Sequence, residues 1–372
     1  MVCLITTAAV LSLNHRSEAL LFPGLLTAAV ITGLLAIRQT RVHRRPSLPV
    51  VERIGPYVLK RKLGAGGMGE VYLAEHALMK RSCAVKLIHP RQAHDREMQE
   101  RFAREAKATA QLTHWNTIEV YDYGTAEDGR FFYVMEFLEG VNLWQYVKQF
   151  GPMSPARVVY LLKQLCDALY EAECAGLVHR DIKPSNVFLT RRGGSYDVVK
   201  LLDFGLVQPI SQQPVKIKNV KRRLHGSPQF MCPEQAVGLS PDHRGDLYSL
   251  GAVAYFLLSG RPPFTDENPI MLVVAHATGG IPPLNEIGVA VPQDLCAIVM
   301  KCLSRNPDDR FSSARSLLDA LDSCSCAGEW TRKSAEQWWQ VQQINVERSS
   351  PSDTIQVTQT LEYKAPLSEP PG

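Results

Sequence analysis

The chain has 372 residues, 45% of them hydrophobic, which is the composition of an ordinary folded protein with room for two or three compact units. The formal net charge of +4 lies in residues 1–50, where five arginines face one acid, so the remaining basic and acidic side chains are equal in number. This balance argues against nucleic acid as a partner. The nine cysteines are odd in number and scattered, which predicts reduced, mostly buried thiols in a cytosolic domain and no zinc site.

Residues 19–37 form an apolar run of 19 residues without a charge. As a helix rising about 1.5 Å per residue, this run nearly crosses a hydrocarbon core of about 30 Å, so we predict a transmembrane helix. The linker at 38–56 begins with an excess of arginine, which marks the cytoplasmic side of a span. We therefore predict a single-pass membrane protein with its bulk in the cytoplasm. Residues 1–18 form a short apolar segment whose entry into the membrane stays open, and the lack of Lys or Arg before its apolar core argues against a cleaved signal peptide.

A glycine-rich segment opens the folded part of the chain. Residues 57–59 indicate a strand that leads into Gly64, Gly66 and Gly69, spaced as G-x-G-x-x-G, and a second strand follows from Val71. Glycines at this spacing let a turn lie close over phosphate groups and offer them backbone N–H groups. A dinucleotide-binding fold would place a helix after the third glycine, so the strand found here favours a hairpin over phosphates instead.

Strands and helices alternate over the next hundred residues. Residues 82–88 predict a strand in which Lys86 is bracketed by apolar residues, so it either reaches out from an edge strand or faces a site. Residues 95–112 predict a helix, and 117–123 and 130–137 predict two strands around a turn. A long core helix is predicted at 154–174, with Ser154 as its N-cap and Pro155 as its first residue.

Two short segments after that helix carry the residues suited to chemistry. Residues 178–187 read VHRDIKPSNV and place Asp181, Lys183 and Asn186 in one loop, and residues 198–205 read VVKLLDFG and place Asp203 after a buried strand. This combination suits phosphoryl transfer, which needs positioning and charge neutralisation more than covalent catalysis. The alternatives are a solvated polar loop for the first segment and a capping aspartate for the second.

In their order along the chain, these segments resemble a eukaryotic-like serine/threonine protein kinase of the bacterial type, over residues 57–322. The glycine-rich run, HRDIKPSN, DFG, GSPQFMCPEQ from residue 226 and NPDDRF from residue 306 carry the resemblance. Cys232 stands where the family has alanine, a small change in volume. The resemblance implies an α+β, two-lobed protein-kinase fold after the transmembrane helix, with a small antiparallel β lobe holding one helix and a large, mainly helical lobe.

The resemblance also implies ATP and Mg²⁺ as cofactors and serine or threonine hydroxyls of proteins as acceptors. Asp181 would accept the hydroxyl proton, Lys183 would offset charge on the phosphoryl oxygens, Asn186 and Asp203 would hold the metal, and Ser227 would position the substrate. The residues implied to bind ATP are Leu63, Gly64, Gly66, Gly69, Val71, Ala84, Lys86, Glu105, Met135, Glu136 and Leu138. Of these, Glu136 and Leu138 would hold the edge of the adenine ring through their backbone groups. The residues implied to be structural are His179, Arg180, Glu234, Asp246 and Arg310.

Specific contacts follow from these implied roles. Lys86 would pair with Glu105, which its R-F-x-x-E-A context favours over the other acids of the same helix, Glu97 and Glu100. Buried Glu234 would require a cation, with Arg310 as the expected partner. Asp246 would hold the backbone of residues 178–187, which the resemblance implies to be the catalytic loop.

The segment from Asp203 to Glu234 departs from the usual family pattern. It contains no threonine, its only hydroxyl residues are Ser211 and Ser227, and residues 216–223 hold five Lys and Arg. We expect activity to depend less on phosphorylation here than Arg180 next to Asp181 normally implies, and the basic run to contact an acidic substrate or anionic lipid. A solvated loop without such a partner is the alternative.

Residues 323–372 form a C-terminal extension beyond the resemblance. Trp330, Trp338 and Trp339 predict a helix that docks on the large lobe, and residues 349–372, rich in Ser, Thr and Pro, predict a disordered tail. A homodimer, the protein substrate and the activating signal stay open.

Two other functions compete with an active protein kinase. A pseudokinase scaffold at the membrane would be expected to lack a catalytic or metal-binding residue, and none of those residues is missing. A sugar or antibiotic phosphotransferase shares parts of the site, but the predicted structural residues in their sequence contexts argue against it.

Overall fold

The computed structural model describes residues 53–66, 69–88, 96–203 and 228–348. The predicted transmembrane helix at 19–37, the predicted substrate-positioning Ser227 and the tail at 349–372 lie outside these residues. Within the described ranges, no helix combines the length and the apolar character that a membrane crossing requires.

The small lobe is built on one six-stranded antiparallel sheet with the strand order β1-β2-β3-β4-β6-β5. Side chains alternate between the two faces of the strand at Ser82–Ile88, so that Ala84 packs with Phe102 of the helix at Arg96–Ala110, whereas Val85 packs on the other face. The elements are β1 (Arg53–Ile54), β2 (Tyr57–Gly66), β3 (Gly69–His76), β4 (Ser82–Ile88), α1 (Arg96–Ala110), β5 (Val120–Thr125) and β6 (Phe131–Glu136).

Gly69 starts β3 where the backbone of β4 leaves no room for a side chain. A Cβ atom at this position would lie 1.8 Å from the carbonyl oxygen of Leu87. The third glycine of the G-x-G-x-x-G run is therefore required by strand packing as well as by its predicted place over phosphates.

The large lobe places helices around a three-stranded antiparallel sheet of order β7-β8-β9. Its central helix, α5 (His243–Ser259), is buried along nearly its whole length, because the sequence is apolar on every side after its first turn. The strands are β7 (Gly140–Asn142), β8 (Val187–Arg192) and β9 (Ser195–Leu201). The helices are α2 (Leu143–Phe150), α3 (Pro155–Cys174), α4 (Pro233–Ala236), α5 (His243–Ser259), α6 (Pro269–Thr278), α7 (Gln293–Cys302), α8 (Ala314–Asp322) and α9 (Arg332–Arg348).

One local expectation from the sequence was wrong in its bounds, and another was confirmed. The predicted strand at 117–123 starts only at Val120, because the backbone before it pairs with β9 instead: Leu201 N donates to Asn116 O and Ile118 N donates to Leu201 O. Ser154 is the N-cap of α3 as predicted, but its side chain makes no capping hydrogen bond.

The C-terminal extension docks on the large lobe, as its tryptophans predicted. The indole N–H groups of Trp330 and Trp339 donate to the carboxylate of Asp197 at 3.0 and 2.7 Å, and Arg157 binds the same carboxylate through two further hydrogen bonds. The guanidinium of Arg157 also lies 4.1 Å from the ring centroid of Trp338. Because Arg157 and Asp197 are each 1% exposed, the extension completes a buried polar cluster.

Candidate active site

The aliphatic residues predicted to bind ATP come together in one apolar cluster at the junction of the lobes. Buried Ala84 and Met135 form part of it, and six half-buried side chains pack against the cluster. Three of these six, Leu63, Val71 and Leu138, were predicted to bind ATP. Leu202 is another of the six and comes from the large lobe, so both lobes contribute to the surface.

Lys86 and Asp203 are in direct contact across the two lobes. Lys86 Nζ lies 3.1 Å from Asp203 Oδ1, and the hydroxyl of Tyr133 donates to the same oxygen at 3.2 Å. Burial alone would raise the pKa of Asp203, but the charges of Lys86 and Lys183 and the hydrogen bonds from Lys86 and Tyr133 outweigh burial and lower it. Asp203 is therefore a carboxylate at neutral pH. The side chain of Glu105, the predicted partner of Lys86, lies outside the described residues.

The catalytic loop brings its three predicted residues into contact. Lys183 Nζ lies 2.8 Å from Asp181 Oδ2, and Asn186 Nδ2 donates to the same oxygen at 3.2 Å and to Asp181 O at 3.0 Å. The side-chain nitrogen of Asn186 therefore faces Asp181, and the side-chain oxygen of Asn186 faces away from Asp181.

Leu202 connects this loop to Asp203 through both of its backbone groups. Leu202 N donates to Asn186 O at 2.8 Å, and Leu202 O accepts from His179 Nε2 at 2.9 Å. His179 Nδ1 in turn accepts from Asp181 N. The residue before Asp203 is thus fixed against the loop that carries Asp181 and Asn186.

Asp246 anchors the start of the catalytic loop, as predicted. Its two carboxylate oxygens accept from the backbone N–H groups of His179 and Arg180 at 2.7 and 2.8 Å. Burial raises the pKa of Asp246, although these hydrogen bonds oppose the rise. Arg180 and Asp203 have φ angles of 64° and 51°, a conformation that costs a non-glycine residue about 1 kcal/mol or more and that the surrounding bonds must sustain.

The predicted ion pair between Glu234 and Arg310 is present and bidentate. Arg310 Nη1 and Nη2 donate to the two carboxylate oxygens of Glu234 at 2.8 and 2.7 Å. The next residue, Gln235, donates from Nε2 to Arg180 O. Helix α4 is therefore held on one side by the ion pair with Arg310 and on the other by the loop that carries Asp181.

Two residues of the site escaped prediction from the sequence. Tyr133 bonds to Asp203 although 70 residues separate them, and no motif marks it. Leu202 is an apolar residue beside a conspicuous aspartate, and its position directly before Asp203 is the signal that could have identified it.

Comparisons with known proteins assign this arrangement to a family. Residues 57–321 match the protein kinase domain family. The chain belongs to the protein kinase family. The matched region contains every described residue of the site.

Named relatives of this kinase domain are bacterial serine/threonine-protein kinases. Pkn1 of Myxococcus xanthus is 39% identical over 282 residues, which are 73% of this chain and 40% of that protein. PknB of Mycobacterium tuberculosis is 37% identical over 261 residues, 69% of this chain and 41% of that protein. The chain thus spans about two fifths of the length of these curated relatives.

Solved structures agree with the fold described above. The crystal structure of the Mycobacterium tuberculosis PknI kinase domain is similar to this chain with a TM-score of 0.56 and 29% sequence identity. The similarity covers 74% of this chain and 98% of that structure.

Proposed function

We propose that this chain is an active serine/threonine protein kinase, which transfers the γ-phosphate of ATP to serine or threonine hydroxyls of protein substrates. One observation carries the proposal: Leu202 binds Asn186 and His179 through its backbone, so that Asp203 adjoins the loop of Asp181. Two carboxylates, an amide and two lysines thereby meet beside an apolar surface formed by both lobes.

The reaction assigns a separate task to each polar residue. The substrate hydroxyl oxygen forms a bond to the γ-phosphorus while the bond from that phosphorus to the β-phosphate oxygen breaks, and ADP leaves. Asp181 accepts the hydroxyl proton, and Lys183, 2.8 Å from that carboxylate, offsets negative charge on the transferred group. Lys86 binds the phosphates of ATP, and the apolar cluster receives the adenine ring.

The residues present suit a magnesium ion. Asp203 is ionised at neutral pH, and Asn186 turns its amide nitrogen to Asp181, which leaves its carbonyl oxygen for a cation. Carboxylate and amide oxygens are the protein ligands that Mg²⁺ prefers. When bound, the ion neutralises charge on the phosphates.

A phosphate-transfer assay on the full chain tests the proposal. The wild-type chain is incubated with γ-labelled ATP, Mg²⁺ and a generic acceptor protein, and the labelled amino acids are identified. We expect label on serine or threonine, and no label with Asp203→Asn. If the chain binds ATP but transfers phosphate neither to itself nor to the acceptor protein, the result would favour a pseudokinase scaffold.

We also propose that residues 19–37 tether the kinase to the cytoplasmic face of a membrane. The absence of charge over this run and the arginines that follow it support the proposal. Full-length protein should stay in the membrane pellet after extraction at alkaline pH and should dissolve in detergent. Release by alkali would contradict a spanning helix.

The segment from Asp203 to Glu234 supports a proposal on regulation. Because this segment contains no threonine and only Ser211 and Ser227 as hydroxyl residues, activity would depend less on phosphorylation there. Mass spectrometry of active protein tests this, since stoichiometric phosphate on Ser211 that activity requires would contradict it. The oligomeric state stays open, and light scattering of detergent-solubilised protein would show whether the chain forms a homodimer.

A further inference from the structure

Glu136 ends strand β6 and turns its side chain away from the apolar cluster, into a buried network behind the segment that joins the lobes. Its carboxylate lies 2.6 Å from Lys200 Nζ and 2.6 Å from Arg192 Nη1. It also accepts from the backbone N–H of Glu119 at 3.0 Å. Glu136 and Lys200 are 7% and 1% exposed, so water screens this pair little.

The partners of Glu136 come from both lobes. Glu119 precedes β5 in the small lobe, whereas Arg192 ends β8 and Lys200 lies on β9 in the large lobe. Lys200 Nζ also donates to Thr117 O at 3.1 Å. One side chain thus ties together three segments at the junction of the lobes.

The network is electrically balanced. Arg192 lies 3.7 Å from the carboxylate of Glu119 as well as beside Glu136, so two acids face two cations. The ring of Trp115 lies over both cations, 4.4 Å from the guanidinium of Arg192 and 5.7 Å from the ammonium of Lys200. Only Glu136 and Lys200 are buried, so removing either of them would leave the other as a buried charge without its closest partner.

A second anchor holds the other end of the same segment. Thr190 on β8 donates from Oγ1 to the backbone oxygen of Glu139 at 2.7 Å. Phe137 and Leu138 lie between the two anchored residues. An open cavity of about 380 Å³ adjoins the segment and is lined among others by Arg81, Tyr121 and Arg192. The segment is therefore held at both of its ends, by the side chain of Glu136 and by the backbone oxygen of Glu139.

We propose that Lys200 and Arg192 are positioning residues for ATP, which act through the side chain of Glu136 to hold residues 136–138 where their backbone binds the adenine edge. This inference rests on the proposed function, because it takes these residues as the adenine-binding segment. It assigns to Glu136 a role for its side chain besides the predicted role of its backbone.

Nucleotide affinity separates this role from a purely structural one. The full chain in detergent is titrated with Mg²⁺ and a non-hydrolysable ATP analogue, and the dissociation constant is measured for wild type, Glu136→Gln and Lys200→Met. We expect each single variant to bind the analogue about ten-fold more weakly. In Lys200→Met the carboxylate of Glu136 loses a charged partner, and in Glu136→Gln the two cations lose theirs. The rate of transfer at saturating ATP should change much less than the affinity.

Two further variants serve as controls. Glu139→Gln alters an exposed acid of the same segment whose backbone oxygen is the anchored group, so we expect wild-type affinity. The double variant Glu136→Gln/Lys200→Met restores charge balance, so it should bind the analogue more tightly than Lys200→Met alone.

The outcomes distinguish this inference from the proposed function. Singles that unfold at lower temperature but bind the analogue with wild-type affinity would overturn the positioning role. A wild-type chain that does not bind the analogue would instead overturn the proposed function. Weaker binding by Glu139→Gln equal to that of Glu136→Gln would also overturn the inference, since any change in the segment would then have the same effect.

Discussion

Lys183 Nζ lies 2.8 Å from Oδ2 of Asp181, and both side chains are less than a fifth exposed. The proposed proton acceptor is therefore paired with the cation proposed to neutralise charge on the transferred group. The side-chain amide of Asn186 donates to the same oxygen. If Asp181 is the proton acceptor, it is oriented before any substrate binds, which reduces the reorganisation that the reaction requires.

Lys183→Ala should lower kcat about 100-fold and change KM for ATP by less than about three-fold, because the lysine acts on charge that develops during transfer. Lys183→Arg should keep part of the activity, since it retains the charge with a different geometry. Initial rates over a range of ATP concentrations check both. A raised KM with unchanged kcat would show that Lys183 only helps to bind ATP.

Arg310→Met should lower the free energy of unfolding by about 3 kcal/mol, because the carboxylate of Glu234, whose side chain is only 13% exposed, would lose its charged partner. The double variant Glu234→Gln/Arg310→Met should recover part of that loss. Urea unfolding measures each value. Arg315→Met serves as the control, because its pair with Asp319 is exposed on both sides and should contribute little. Equal losses in the single and double variants would contradict the coupling.

His276 should make stability depend on pH in mildly acidic solution. The ring is 2% exposed, its Nδ1 lies 2.8 Å from the hydroxyl of Tyr248, and burial lowers the pKa of His276 to about 4. Between an unfolded pKa of about 6.5 and the folded value, the unfolded chain binds a proton that the folded chain does not. Stability from this group is complete above pH 6.5 and falls by up to about 3 kcal/mol as the pH drops to 4.

His276→Gln removes this titrating group and provides the comparison. Urea unfolding of both proteins at several pH values between 7.5 and 4 isolates the histidine, because every other group is common to both. The difference in the free energy of unfolding between wild type and variant should shrink as the pH falls. A constant difference would contradict the lowered pKa of His276.

Trp339→Phe should destabilise the domain by about 1–3 kcal/mol, because it removes one of four hydrogen bonds to the buried carboxylate of Asp197. Combined with Asp197→Asn in a double-mutant cycle, the two changes should not be additive. Trp338→Phe should couple less to Asp197→Asn, since Trp338 contacts Arg157 and donates no described hydrogen bond to Asp197. Equal coupling for both tryptophans would contradict the hydrogen-bond account.

Short sequence motifs predicted those contacts of the site that join residues close to one another in the chain. Asp181, Lys183 and Asn186 lie within six positions, so their spacing alone places them in one loop. The anchoring by Asp246 and the pair of Glu234 with Arg310 span longer distances. They were predictable because the resemblance to protein kinases implied the partner of each charge, and a charge that is removed from water needs such a partner.

Contacts without such a requirement could not be predicted from the sequence. Tyr133 reads as one more aromatic residue of a strand, and only the folded sheet shows that its hydroxyl reaches Asp203. Glu136 and Lys200 are single charges in apolar strands, and either could have faced solvent. The pairing of residues 116–118 with β9 depends on how the lobes meet, which local strand propensity does not contain.

The measurement that tests the central claim most directly compares the full chain with its Asp181→Asn variant in two assays. One assay measures the rate of phosphate transfer from Mg-ATP at saturating ATP, and the other measures the dissociation constant of a non-hydrolysable ATP analogue. We expect the transfer rate to fall by about 10²- to 10⁴-fold while the dissociation constant stays within about three-fold, because Asp181 acts on the hydroxyl proton and not on the nucleotide. Transfer at the wild-type rate by the variant would contradict the assignment of Asp181 as the proton acceptor and, with it, this account of the site.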